Sequence, residues 1–141
     1  MSEPARERVV VYCDGGARGN PGPAAIGAVV LDPATEPATR LATVSERIGV
    51  TTNNVAEYRS LIAGLEAARE VPARAVTVKA DSQLVVRQLQ GRYRVKQPHL
   101  RPLYEEARAL LARYDEVELA HVPRELNVDA DALVNAALDG A

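Results

Sequence analysis

The chain has 141 residues and a mass of 15.1 kDa, room for one domain around one hydrophobic core, with residues 1–141 as that domain and an ordered core over about 8–138. Hydrophobic residues make up 47% and charged residues 26%, with a formal net charge of −2, which excludes a disordered chain and a fibrous repeat. The longest uncharged apolar stretch, residues 23–31, is far short of the roughly 20 residues that cross a bilayer, and no membrane partner is expected.

In chain order, three apolar, β-branched runs come first, over residues 8–13, 26–31 and 41–48. The third alternates in polarity as a half-exposed strand does. The connector Asp14-Gly-Gly-Ala-Arg-Gly-Asn-Pro-Gly-Pro23 reads as a turn, and residues 32–37 as another, so the three runs form an antiparallel meander. The period then changes. From 53 to 70, Tyr58, Leu61, Ile62, Leu65 and Ala68 fit one face of a helix. A short strand over 75–80, a short helix over 82–89 and a longer helix over 98–114 follow. A strand over 117–122 and a helix over 127–138 end the chain. The order βββαβααβα predicts an α/β fold: a five-stranded mixed sheet, three antiparallel strands then two parallel ones, flanked by helices.

The charge is unevenly spread. No acidic residue lies between Ser82 and Tyr104, where Arg87, Arg92, Arg94, Lys96 and Arg101 fall, leaving 12 basic residues against 19 acidic ones elsewhere. Such a stripe binds phosphate, or is simply a solvated face. The single cysteine, Cys13, excludes an internal disulfide and a cysteine-built zinc site, and two histidines are too few for a histidine-rich metal site. The charged N-terminus lacks the form of a signal peptide, so a cytoplasmic location is expected.

Four carboxylates fall where chemistry could sit. Asp14 ends the first strand and Asp81 the fourth; as parallel neighbours, those ends lie about 4.8 Å apart. Glu57 shares the apolar stripe of Leu61 and Leu65, a costly place for a charge unless it is paired or bound to metal. Asn54-Val-Ala-Glu57 also fits a capping box, which does not exclude a metal role. Asp131 falls near the start of the last helix, where the dipole favours it. Each acid alone has a structural explanation as turn former, cap or dipole partner. Other chemistries fail: the glycine loop lacks the Gly-Lys-Ser/Thr ending of a P-loop, and there is no Gly-x-Ser-x-Gly elbow.

Four motifs carry a resemblance to a known family. They are Tyr12-Cys13-Asp14-Gly15-Gly16 with Gly19-Asn20-Pro21-Gly22-Pro23, then Thr51-Thr52-Asn53-Asn54-Val55-Ala56-Glu57, then Ala80-Asp81-Ser82-Gln83, and finally Asn127-Val128-Asp129-Ala130-Asp131-Ala132-Leu133. In this order and at these distances, the chain resembles ribonuclease H type 1 from about residue 8 to 138. The resemblance implies the ribonuclease H fold and hydrolysis of the RNA strand of an RNA–DNA hybrid with two Mg²⁺ or Mn²⁺ ions, leaving 5′-phosphate and 3′-hydroxyl ends. Carried over by position, Asp14, Glu57, Asp81 and Asp131 would be the metal ligands. Gly16, Gly19, Asn20, Asn54 and Gln83 would contact the hybrid in its minor groove, where the 2′-hydroxyl marks RNA. Thr52 would help hold a DNA phosphate.

The chain departs from the family pattern twice. The basic handle helix of many members is absent or reduced to residues 90–97, where Arg92, Arg94 and Lys96 would compensate in part. The histidine loop before the last helix is short, so both Arg124 and His121 are candidates to assist catalysis, and the register favours Arg124. An arginine stays protonated and would position phosphate or water rather than act as a base. Some bacterial relatives fuse a phosphatase domain behind such a module, so a C-terminal fused domain is a further expectation. Double-stranded RNA stands as a second candidate substrate. The rival readings are a non-catalytic binder of hybrid or duplex, and another nuclease of the same superfold.

Overall fold

The computed structural model describes residues 6–140; residues 1–5, whose charged sequence bore on location, and residue 141 lie outside the described residues. The strands are β1 (Arg6–Ala17), β2 (Gly22–Asp32), β3 (Thr39–Thr51), β4 (Ala73–Ala80) and β5 (Glu116–His121). The helices are α1 (Asn53–Ala68), α2 (Gln83–Leu89), α3 (Arg101–Leu111) and α4 (Val128–Leu138). The strands form one sheet in the order β3-β2-β1-β4-β5. β1–β2 and β2–β3 are antiparallel, and β1–β4 and β4–β5 parallel, as the element order implies.

The main core lies between the sheet and α1. Val9, Val11 and Cys13 of β1 alternate onto that face beside Val76 and Val78 of β4, and meet Tyr58, Leu61 and Leu65 of α1. On the opposite face α4 packs Val134 and Ala137 against Ala25 of β2. Residues 24–30 of β2 are buried throughout, because α1 and α4 cover both faces of that strand. This explains why β2 reads as an unbroken run of small and apolar residues rather than an alternating one.

Three predicted boundaries are corrected. The glycine connector is mostly strand: β1 continues to Ala17 and β2 begins at Gly22, pairing Asp14 with Gly27, Gly15 with Ile26 and Gly16 with Ala25. Gly15 serves a close approach of α1, not a turn, while Gly16 has open space where a Cβ would be. Secondly, the helix expected over 98–114 is a single 3₁₀ turn, Pro98–Leu100, followed by α3. Pro102 has no N–H to donate and is tolerated only in a first turn, so the α-helix starts just before it. Thirdly, β5 stops at His121, one residue early, although the Val122 N–H still bonds the Ala80 carbonyl at 2.9 Å. Residues 90–97 form no helix, so the handle is absent. Among the described residues no helix is long and apolar enough to cross a membrane.

Candidate active site

The parallel pairing of β1 with β4 ends at Cys13 and Ala80. The next residue on each strand is an aspartate, so Asp14 and Asp81 emerge side by side at the C-terminal edge of the parallel pair. Two neighbouring contacts bring the helices to that edge. A Cβ at Gly15 would lie 2.1 Å from the Ala56 carbonyl oxygen and 2.8 Å from the Glu57 nitrogen, so only glycine lets α1 come this close. On the other side, a Cβ at Gly27, the partner of Asp14, would lie 2.4 Å from the Ala130 carbonyl oxygen of α4. Glu57 and Asp131 are thereby carried to Asp14 from opposite faces of the sheet.

Carboxylate oxygens of Asp14, Glu57 and Asp81 lie within 4.8 Å of one another, the spacing of a metal-binding cluster. Asp131, half-buried in the first turn of α4, stands beside this trio and acts on Asp14 by charge and hydrogen bonding. Burial, then the neighbouring Asp81 carboxylate, pushes Asp14 up to about 7. Burial, then the Asp14 and Asp81 charges, holds Glu57 well above its ordinary value, against a backbone hydrogen bond from Gly15. One Glu57 oxygen, Oε2, is buried without any hydrogen-bond partner. Like charges gathered around an unpartnered oxygen are the surroundings that a divalent cation satisfies.

Glu57 is not engaged in capping. Thr52, not Asn54, caps α1, its Oγ1 accepting from the Val55 N–H at 3.3 Å, so the expected capping box does not form. Counted from Thr52, Glu57 is the fifth helical residue, two positions past the one that reaches back to a cap. Ser82 caps α2 in the same way, accepting from the Val85 N–H at 3.3 Å, so Asp81 is also free of that role.

Around the carboxylates, the remaining sequence candidates fall in four places. Gly16 lies in β1 with open space where a Cβ would be, and Gly19 holds a φ of 95° in the β1–β2 turn. The exposed Asn20 uses its Oδ1 to accept from the Asn53 N–H at 3.0 Å, while Asn53 Oδ1 accepts from the Ala17 N–H at 2.9 Å. These reciprocal bonds stitch the glycine segment to the start of α1, beside Thr52 and Asn54. Gln83 is the exposed first residue of α2. Arg92, Arg94 and Lys96 are exposed on the segment after α2, around a groove of about 460 Å³ floored by Leu84 and Leu100. Arg124 places its Nε 3.9 Å from Asp81 Oδ2 with its side chain 79% exposed. His121, exposed at the end of β5, pairs through its backbone with Ala80.

Sequence reasoning passed over Asn127 and Asn53 as working residues. Asn127 is 1% exposed, and its Nδ2 donates to the Cys13 carbonyl at 2.9 Å, tying the start of α4 to the residue before Asp14. Its place in the last motif was the available signal. What hid its role is that the bond spans 114 positions of sequence.

Comparison with known proteins agrees with this arrangement. A family model described as "Reverse transcriptase-like" matches residues 12–137. The chain is 48% identical over 134 residues to the bifunctional protein Rv2228c of Mycobacterium tuberculosis, a match covering 95% of this chain and 36% of that protein. It is 46% identical to ribonuclease HI of Halobacterium salinarum, covering 95% of this chain and 66% of the relative. The chain thus spans about a third of the mycobacterial protein's length and about two thirds of the archaeal one's. Among solved structures, the N-terminal RNase H domain of Rv2228c superposes with a TM-score of 0.89 at 48% identity, covering 94% of this chain and 99% of that one. LC11-RNase H1 in complex with an RNA/DNA hybrid superposes with a TM-score of 0.84 at 43% identity, covering 93% and 96%. Matching sequence, sheet order and acidic edge together, the chain belongs to the ribonuclease H type 1 family.

Proposed function

We propose that the protein is an endoribonuclease that hydrolyses the RNA strand of RNA–DNA hybrids. The observation that carries this reading is the cluster of Asp14, Glu57 and Asp81 oxygens within 4.8 Å, with a buried, unpartnered Glu57 oxygen in it. Asp14, Glu57, Asp81 and Asp131 would hold two Mg²⁺ or Mn²⁺ ions. Hard oxygen donors fit such ions, which when bound supply an activated water and charge neutralisation at the scissile phosphate. The products are then a 5′-phosphate and a 3′-hydroxyl.

The chain's own residues have separate tasks in this scheme. Gly16 and Gly19 offer backbone to the minor groove at points without bulk, and the amides of exposed Asn20 and Gln83 and half-buried Asn54 read the sugar edges. Thr52, and Arg92, Arg94 and Lys96 on the segment after α2, meet phosphates. Arg124, 3.9 Å from Asp81, orients the phosphate or water there as a permanent cation, in preference to His121. Recognition is by shape and 2′-hydroxyl, so little base preference follows. We place the activity in the cytoplasm and in a single domain spanning residues 1–141. By analogy with the bifunctional mycobacterial relative, the chain works either alone or as one part of a fused protein.

The test is cleavage of an end-labelled hybrid with Mg²⁺ or Mn²⁺, beside single-stranded RNA, double-stranded RNA and duplex DNA, with Asp81→Asn as control. Cuts in the RNA strand of the hybrid that vanish in the variant are expected. Hybrid binding without cleavage at any metal concentration would overturn the reading in favour of a binding module. Cuts in double-stranded RNA would widen the substrate class.

A further inference from the structure

Two buried polar side chains lie outside the carboxylate cluster but join it to the basic segment. Tyr58, next to Glu57 on α1, is 0% exposed, and Gln88 of α2 is 3% exposed. The Tyr58 hydroxyl donates to Gln88 Oε1 at 2.5 Å, and Gln88 Nε2 donates to the Arg94 carbonyl at 3.2 Å. The amide Oε1 can only accept, so the Tyr58 hydroxyl is the donor in this bond. The direction of the chain of bonds is therefore fixed: phenol to amide oxygen, amide nitrogen to backbone carbonyl.

An apolar pair of the same size would fill this space without desolvating a phenol and an amide, groups that are costly to bury unless fully bonded. What the polar pair adds is a hold on the backbone at Arg94. The start of the same segment is held by the end of α2. Gly91, at a φ of 79°, donates to the Gln88 carbonyl at 3.0 Å, while Arg92 and Tyr93 donate to the Arg87 carbonyl at 2.9 and 3.2 Å. The backbone over residues 91–94 is thus pinned to α2 at each step, although the segment has no helix or strand of its own. Its cationic side chains remain exposed. A loop ordered before binding loses less conformational freedom when it meets a polyanion.

We infer that Tyr58 and Gln88 are positioning residues that hold the basic segment at a set distance from the carboxylate cluster, so that Arg92, Arg94 and Lys96 meet hybrid phosphates in register with the scissile one. This rests on the proposed role of that segment in binding the hybrid. Because α1 carries both Glu57 and Tyr58, the span between cutting site and phosphate grip is built into one helix and one relay. The pair acts on substrate capture rather than on the chemical step.

The experiment compares Tyr58→Phe, Gln88→Met and a triple variant with Arg92, Arg94 and Lys96 changed to alanine. It reads kcat, KM, the salt dependence of KM and the melting temperature of each on a labelled hybrid. The triple variant should raise KM and flatten the salt slope by about 2–3. Gln88→Met should raise KM about fivefold and flatten the salt slope, with kcat unchanged and a cooperative melt. Tyr58→Phe, which removes one hydroxyl and carries the test if Gln88→Met does not fold, should shift KM the same way by a smaller factor. Lower melting temperatures with wild-type KM and salt slope, in the face of a shifted triple variant, would overturn the positioning role and leave the segment's binding role standing. A fall in kcat at constant KM would also overturn it, by placing the effect at Glu57. A triple variant with wild-type KM and slope would remove the binding role, and the inference with it.

Discussion

Glu57 and Asp14 share a site that suits neither as an isolated anion. Asp14 has 5% of its surface exposed and is pushed up to about 7 from an ordinary 3.8 by burial and the adjacent Asp81. Between about pH 4 and pH 7 the folded, metal-free protein therefore holds a proton that the unfolded chain has released. Stability contributed by that proton is full below pH 4 and is lost as pH rises through 7. Melting in EDTA should show a falling Tm over that window, and Mg²⁺ or Mn²⁺ should raise Tm more at pH 8 than at pH 5. A metal effect independent of pH would separate the cation from these carboxylates. At the same scale, Arg124→Ala should lower kcat about tenfold or more, and His121→Ala much less, because Arg124 is the cation next to Asp81. Equal effects in single-turnover cleavage would remove the distinction. The three acids that share the cluster, Asp14, Glu57 and Asp81, were legible from their motifs; the caps were not. Asn54-Val-Ala-Glu57 satisfies the capping pattern on paper, yet Thr52 wins because its own hydroxyl reaches the Val55 N–H, releasing Glu57 for the cluster.

At the scale of elements, the site depends on how closely two helices approach one strand. Gly15→Ala would set a Cβ 2.1 Å from the Ala56 carbonyl, so α1 must retreat. A destabilisation of about 1–3 kcal/mol or more is expected, with cleavage falling further than stability because Glu57 moves with its helix. Calorimetry and kinetics on the same sample check this; a stable variant with full activity would show that α1 is not held by that contact. Asn127→Ala should cost about 1–3 kcal/mol by removing the donor to the Cys13 carbonyl and loosening α4 against β1. Hydrogen exchange at the start of α4 is the readout. The helices and strands themselves follow from local pattern, apart from the glycine segment. There, turn-forming composition argued for a loop, while pairing with β2 and the contact with α1 drew residues 14–17 into the strand.

For the whole molecule, charge and shape divide the labour. The net charge of −2 would repel a polyanion, yet the acid-free stretch between Ser82 and Tyr104 exposes Arg92, Arg94 and Lys96 together on the segment after α2. Hybrid affinity should therefore fall with salt as a few phosphate contacts require, with a log–log slope of about −2 to −3. Fluorescence anisotropy across salt concentrations measures it; a flat response would mean that the segment does not touch phosphate. The sequence alone determined the order of elements, the mixed sheet and the four carboxylates, because hydrophobic period and local motifs are properties of neighbouring residues. Only the tertiary structure decided that Glu57 joins Asp14 and Asp81 within 4.8 Å, that Asn127 braces that edge, and that Tyr58 reaches Arg94 through Gln88. Those contacts join positions about 24 or more residues apart, except the last short step from Gln88 to Arg94. They depend on strand order, on helix approach over Gly15 and Gly27, and on burial, none of which a local pattern carries.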